Sequence, residues 1–398
     1  MYLDINDIRA IQIDHTSKCN LLCPQCARVH DGKVNSIMPI DELTVSDYEA
    51  IFSKKIIKNI DLIIQCGNYG DVLASNTILD CLDWLRTNGC QAQINILTNG
   101  SARDPAWWRE LARILGKDGK VAFSIDGLED TNHLYRVNSN WNKIIENINI
   151  FIGAGGRARW DYLVFEHNEH QVKRAKKLAK KLGFESFYVK KTNRFIKNKN
   201  YISSIGSKKD KVKTRKDVYN IKIPSKKEYL AKSNTDFPDL IKKYGSWDAY
   251  IDVTKISCKF QQQKEIFVDF EARVWPCTWT AAPIYFAGED NIQKIQLHKV
   301  LDYYGWNFNS LRHHTLEEIL NHEWFKKEFT ESWGRVQDDI PIGKLMTCGR
   351  TCGTSYDFSS SSDDNRQLTE FFAVEPSWWN KVLMMRLELR DQIKEHFQ

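Results

Sequence analysis

The sequence predicts an α/β protein: a partial (β/α)6 barrel of the TIM-like kind, followed by a smaller α+β region. Three observations carry that expectation. Six apolar segments alternate with helical ones between Ile8 and Val189, which specifies a parallel sheet with helical crossovers. Each unusual polar or glycine cluster follows the end of such a segment, where curled parallel sheets gather their chemistry. After strand six the alternation stops and the composition changes.

The elements follow in order. Ile8–Asp14 reads as a buried strand, and three cysteines sit on the loop after it. Thr44–Asn59 has helical periodicity, with Thr44 as its cap. Asp61–Gln65 is a second strand, ending in Cys66-Gly67-Asn68-Tyr69-Gly70-Asp71. A helix over Asn76–Thr87 stops at Asn88-Gly89, and strand Gln93–Leu97 runs into Thr98-Asn99-Gly100. Helix Pro105–Leu115 leads to strand Lys120–Ile125, which ends in Ser124-Ile125-Asp126-Gly127. Helix Trp141–Ile152, strand Arg159–Glu166, helix Glu169–Leu182 and strand Ser186–Val189 complete the alternation. A hairpin is expected over Ile266–Cys277, a loop at Ser359–Ser362, and an amphipathic helix over Trp378–Phe397. Four parts result: 1–192, a basic insertion at 193–248, a second region at 249–362, and a C-terminal helix at 363–398.

Composition excludes several classes. With 42% hydrophobic and 12% aromatic residues, the chain is not disordered throughout. No run of about 18 apolar residues is present to span a membrane. The start, Met1-Tyr2-Leu3-Asp4, lacks the basic and apolar regions of a secretory signal, so a cytoplasmic protein is expected. The net charge of +6 hides an asymmetry: residues 190–232 hold fifteen Lys and Arg against Asp210, Asp217 and Glu228. That segment reads either as a solvated loop kept soluble by lysines or as an electrostatic funnel for an anionic substrate or partner, nucleic acid included.

Ten cysteines without an export signal argue for metal or redox chemistry over disulfides. Cys19, Cys23 and Cys26 form a C-x3-C-x2-C, and three thiolates within eight residues suit one polynuclear centre with an open iron. A zinc site closed by His15 or His30 has the same spacing. Cys258, Cys277, Cys348 and Cys352 can close a four-thiolate site for iron–sulfur or zinc. Cys81 and Cys90 read as small core residues. Trp275, Trp279, Trp306, Trp324 and Trp333 read as core or as the lining of a channel.

Cys19-Asn-Leu-Leu-Cys23-Pro-Gln-Cys26, directly after a first strand, resembles the radical S-adenosylmethionine superfamily over roughly residues 8–190. The resemblance implies a 4Fe–4S cluster on Cys19, Cys23 and Cys26 whose open iron chelates S-adenosylmethionine. Reductive cleavage then yields a 5′-deoxyadenosyl radical that abstracts hydrogen from a substrate. It further implies that Gly67, Asn68, Tyr69, Gly70 and Asp71 hold the methionine amine, and that Asn99, Ser124 and Asp126 contact its carboxylate and ribose. His167 and Asn168 follow after strand five. Gln25 departs from the pattern, standing where the family carries an aromatic residue against the adenine. Cys66 and Tyr69 are placed to donate a final hydrogen atom.

Val268–Cys277 looks like the hairpin of the SPASM/twitch auxiliary domains, which implies one auxiliary 4Fe–4S cluster on Cys258, Cys277, Cys348 and Cys352. The glycine usual in that turn is absent, because Glu271-Ala272-Arg273 occupies it. The family favours a peptide or protein substrate, with a nucleotide, nucleic acid or other anionic small molecule as the alternative. It also implies a flavodoxin- or ferredoxin-type reductant. With strand one starting at Ile8, no separate N-terminal leader-binding domain is expected. The rival readings are a zinc-dependent nucleic-acid-binding protein and a scaffold that binds S-adenosylmethionine without splitting it.

Overall fold

A computed structural model describes residues 2–192, 195–197, 204–205, 209–214, 217–231, 233–286, 288–339, 342–356 and 369–372. Its main sheet begins with β1 (Ala10–Ile13), β2 (Leu62–Gln65), β3 (Gln93–Thr98), β4 (Lys120–Ser124), β5 (Ala158–Leu163) and β6 (Ser186–Lys190). These six pair in parallel, each with the next. The expected parallel sheet is therefore the observed one.

Side chains alternate across a strand, and the two faces of this sheet differ sharply. One face carries Ile11, Ile13, Ile63, Ile94, Ile96, Val121, Phe123, Trp160 and Phe187, all fully buried. Helices pack there, as where Trp108 of helix Pro105–Leu115 stacks on Phe123 at 5.5 Å. The other face carries Gln12, Asn95, Arg159, Tyr188 and Lys190, all only half-buried. A parallel sheet covered on both sides would be apolar on both. The polar, half-open face is the inner wall of the partial barrel.

Two features differ from the sequence reading. Thr44–Asn59 is not one helix but two, Val45–Ile51 and Lys54–Asn59, because Ser53 caps a new start by accepting from Ile56 N. The hairpin near Cys277 belongs to the main sheet: β9 (Glu265–Val268) lies parallel to β1, Ala10 opposite Glu265 and Ile13 opposite Val268. β10 (Val274–Trp275) then adds an antiparallel edge. At the far edge β11 (Thr369–Phe371) pairs antiparallel with β6. Within the basic segment, β7 (Lys209–Lys213) and β8 (Val218–Lys222) form a hairpin. The serine run and the C-terminal helix expected at 378–397 lie outside the described residues.

Among the tryptophans, Trp275 and Trp324 are fully buried in the core, whereas Trp279 and Trp306 are exposed. No described helix is long and apolar enough to cross a membrane.

Candidate active site

The chain leaves β1 through buried Asp14 and enters the cysteine loop. Cys26 N donates to Cys23 O at 3.0 Å, Leu21 N to Cys19 Sγ at 3.4 Å, and the Arg28 guanidinium to Leu21 O. The glycine segment after β2 crosses this loop closely. A Cβ on Gly70 would lie 2.1 Å from Thr16 O and 2.5 Å from Lys18 O, and Asp71 N donates to Lys18 O at 2.8 Å. Gly70 is thus required by two chains touching, before any ligand is considered.

Asp71 and Asp126 have their oxygens taken by the protein itself. Asp71 accepts from Thr98 Oγ1 (2.7 Å), Asn99 N (2.8 Å), Asn99 Nδ2 (2.7 Å) and Leu73 N (3.0 Å). Held this way, Asn99 donates to Asn20 Oδ1 at 2.9 Å and reaches Cys19 Sγ at 4.0 Å. Asp126 accepts from Leu163 N at 2.7 Å and from Arg136 Nε at 2.6 Å, and Arg136 Nη1 lies 3.9 Å from Cys23 Sγ. Arg136, like Arg28, escaped the sequence reading, since an isolated arginine in a loop carries no spacing signal.

Burial pushes the Cys19 thiol up to about 12 and that of Cys23 to about 11, and Arg28 and Arg136 respectively oppose the rise. Such thiols stay protonated until a metal displaces the proton. Ser124 stands half-buried at the end of β4, on the inner face. Asn168 is fully buried and serves the chain, donating to Asp126 O (2.8 Å) and Leu163 O (2.9 Å). His167 stacks on Phe165, with ring centroids 5.3 Å apart. His15 is no metal ligand here: its ring nitrogens contact Tyr48, Ser75 and Thr77 hydroxyls at 2.9 to 3.2 Å.

The two candidate hydrogen donors part company. Cys66 shares the inner face with Gln12 and lies 3.3 Å from Gln12 Oε1. Tyr69 is buried among Phe267, Phe270, Tyr285 and Phe286. Asn68 links two regions: its side-chain amide donates to Asp14 Oδ2 at 2.9 Å and to Thr278 Oγ1 at 3.0 Å, beside Cys277. Burial lifts the Asp14 carboxyl to about 7.

The four later cysteines are brought together and buried. Cys348 and Cys352 sit one turn apart on helix Met346–Cys352. Cys352 lies beside Cys258, and Cys277 and Cys348 lie within electrostatic reach of Cys352. Thr280 Oγ1 lies 3.2 Å from Cys277 Sγ. An isolated bridge between Ile256 and Gly353, with Ser257 N donating to Cys352 O at 2.9 Å, fixes the pairing. Burial pushes the Cys277 thiol up to about 12. Four buried thiols without a disulfide suit a soft metal centre, so the donor set fits the implied group. Among the described residues no three His, Cys, Asp or Glu side chains stand at the spacing of a single bound ion.

The turn of the hairpin solves its missing glycine by strain. Ala272 adopts φ of 58°, while Asp269 accepts from Glu271 N and Arg273 N at 3.0 Å and from Trp275 Nε1 and Tyr285 OH at 2.7 Å.

No protein-family model matches the chain, and no curated protein does. Solved structures do. The structure of anSMEcpe with bound AdoMet superposes with a TM-score of 0.50 at 15% identity, over 90% of this chain and 92% of that one. A second anSMEcpe structure, with AdoMet and Cp18Cys peptide, gives 0.49 at 16% identity over 90% and 95%. SuiB of Streptococcus suis gives 0.45 at 15% identity over 69% of this chain, which spans only 61% of SuiB. The fold is therefore shared with that of anSMEcpe over most of both chains.

Proposed function

We propose that this chain is a radical S-adenosylmethionine enzyme acting on a peptide. The observation that carries the reading is the loop of Cys19, Cys23 and Cys26 at the carboxyl end of β1, ringed by strand-end polar groups. Cys19, Cys23 and Cys26 would hold a 4Fe–4S cluster, which with S-adenosylmethionine bound would supply the chemistry of hydrogen-atom abstraction from substrate. The chain's own residues prepare the place. Asp71 fixes Asn99 beside Cys19, and Asp126 fixes Arg136 beside Cys23, so both carboxylates act through a neighbour. Gly67 and Ser124 are left to face S-adenosylmethionine, beside Asn68 and Asn99, whose side chains the protein itself holds, and Cys66 is the hydrogen donor of the pair that reaches the inner face. Cys258, Cys277, Cys348 and Cys352 would hold an auxiliary cluster that staples β9 to the helix beyond it.

A peptide suits the inner face. Asn95 offers its amide there, while Arg159 and Lys190 are ion-paired to Asp161 and Gln12 donates to Glu265, which fixes these polar groups along the wall. The Tyr188 ring is covered by the Arg159 guanidinium at 4.5 Å, which competes with a base for stacking there. anSMEcpe and SuiB have themselves been solved with peptides, Cp18Cys and SuiA.

The test is anaerobic reconstitution, iron counting, and assay of 5′-deoxyadenosine with S-adenosylmethionine and dithionite. About eight irons and nucleoside release are expected, and about four irons without release for Cys23→Ala. Zinc in place of iron, or turnover retained in Cys23→Ala, would sink the reading.

A further inference from the structure

The described residues of the basic segment pack over the cysteine loop. Strands β7 and β8 pair from Lys209 opposite Lys222 to Lys213 opposite Val218. Alternation sorts their residues into two faces. Val212, Tyr219 and Ile221 take one face, and they cluster with Leu21, Cys23, Tyr135 and Phe165. Val212 and Ile221 are fully buried there, and the Tyr219 hydroxyl donates to Leu134 O at 2.7 Å. The other face holds Lys211 and Lys222, both exposed, around Val218, which is 61% exposed. Lys209 and Lys213 occupy register positions on that same side. Glu166 lies 2.8 Å from Lys222, and exposed Asp217 adjoins Val218 at the turn.

We propose that the outer face of this hairpin is the docking surface for an acidic, low-potential one-electron carrier protein. The proposal rests on the reading of the cysteine loop as a cluster site. One electron must enter that site per cleavage, and transfer weakens steeply with distance. The hairpin is a single layer of strands whose inner side chains touch the cysteine loop, so a partner on its outer face stands roughly 10 Å from it. An apolar residue ringed by lysines matches the plan of an interface with an apolar centre and a polar rim, and the lysines steer an acidic partner onto it. In the transfer the carrier is oxidised by one electron and the centre reduced by one, with no bond in the hairpin made or broken. Nucleic acid is the less favoured occupant. Single strands need exposed aromatic platforms, and here Tyr219 and Phe195 are turned onto the cysteine loop.

The experiment compares the reconstituted chain with the K211Q/K213Q/K222Q variant, using flavodoxin as the probe. Titration with oxidised flavodoxin in about 50 mM salt should give a dissociation constant about tenfold weaker for the variant, as the loss of three ion pairs with the carrier implies. Wild-type affinity should fall as salt rises, and that of the variant should fall less steeply. Nucleoside release driven by dithionite, which needs no docking, should be equal in the two proteins, while release driven by reduced flavodoxin should fall about tenfold. Equal flavodoxin affinity in the two proteins would overturn the proposal. So would an equal loss with dithionite, which would make the lysines part of the site itself. Tighter binding of a single-stranded RNA than of flavodoxin, lost in the variant, would give the face to nucleic acid. A wild type that releases no nucleoside even with dithionite would sink the reading of the site, while the affinity comparison still decides the docking face.

Discussion

Arg136 shows how much of the site rests on single side chains that no motif announces. Its guanidinium sits between the Asp126 carboxylate and the Cys23 thiol, a cation placed where a thiolate must form. A nearby positive charge favours the ionised thiol, and burial opposes it. Arg136→Gln removes the charge and leaves buried Asp126 without its cation. The expected outcome is slower alkylation of Cys23 in the metal-free protein at pH 8, with unfolding free energy lowered by about 3 kcal/mol. Peptide mapping of the alkylated thiols and urea titration check the two arms, and unchanged Cys23 reactivity would contradict the electrostatic role. Ala272 makes the complementary point. Its φ of 58° is a conformation that glycine would take freely, held by four donors onto Asp269.

At the scale of elements, the decisive event is the crossing of two loops that leave neighbouring strands. The cysteine loop follows β1, the glycine segment follows β2, and they touch at Gly70. The sequence reading assigned the glycines of this segment to closeness with a ligand. The structure gives Gly70 to closeness with Thr16 and Lys18, backbone that cannot yield as a flexible side chain can. Gly70→Ala should therefore cost about 3 kcal/mol or more and loosen the cysteine loop. Urea unfolding reads the first effect, and iron content after reconstitution reads the second. A variant as stable as the parent would mean that the crossing has slack. The basic segment carries the same lesson in reverse. Its charge was plain in the sequence, but the burial of Val212 and Ile221 against the cysteine loop was not. Short strands of mixed lysine and apolar residues read equally well as coil, and only their partner surface selects the hairpin.

For the whole molecule, the parallel pairing of β9 with β1 joins residues far apart in the chain, and it buries Glu265 at the junction. Its carboxylate accepts from Gln12 Nε2 at 2.7 Å, and burial raises its pKa from 4.5 to about 7. The folded protein therefore holds a proton that the unfolded chain releases above about 4.5. That contribution is complete below 4.5, is lost as pH rises to about 7, and is constant beyond. Glu265→Gln keeps the protonated shape without the titration. Its advantage over the parent should grow between pH 4.5 and 7, by something on the order of 3 kcal/mol. Urea midpoints across that range check it, and a pH-independent difference would remove Glu265 from the account.

What the sequence determined by itself is local. The order of strands and helices was legible because periodicity is written in neighbouring residues, as in Gln93–Thr98 and Pro105–Leu115. The three thiols of the first site were legible because their spacing is set within one loop. The four later cysteines were legible only as a set, since Cys258 and Cys352 stand 94 positions apart. The tertiary structure decided everything that depends on what faces what. It placed β9 in the main sheet, split the helix at Ser53, and spent the oxygens of Asp71 and Asp126 on the protein. It also set Arg136 on Cys23 and folded the lysine hairpin over the cysteine loop. The physical reason is range: propensity and spacing act over a few residues, whereas burial, charge and hydrogen-bond satisfaction act between segments that meet only in the folded chain.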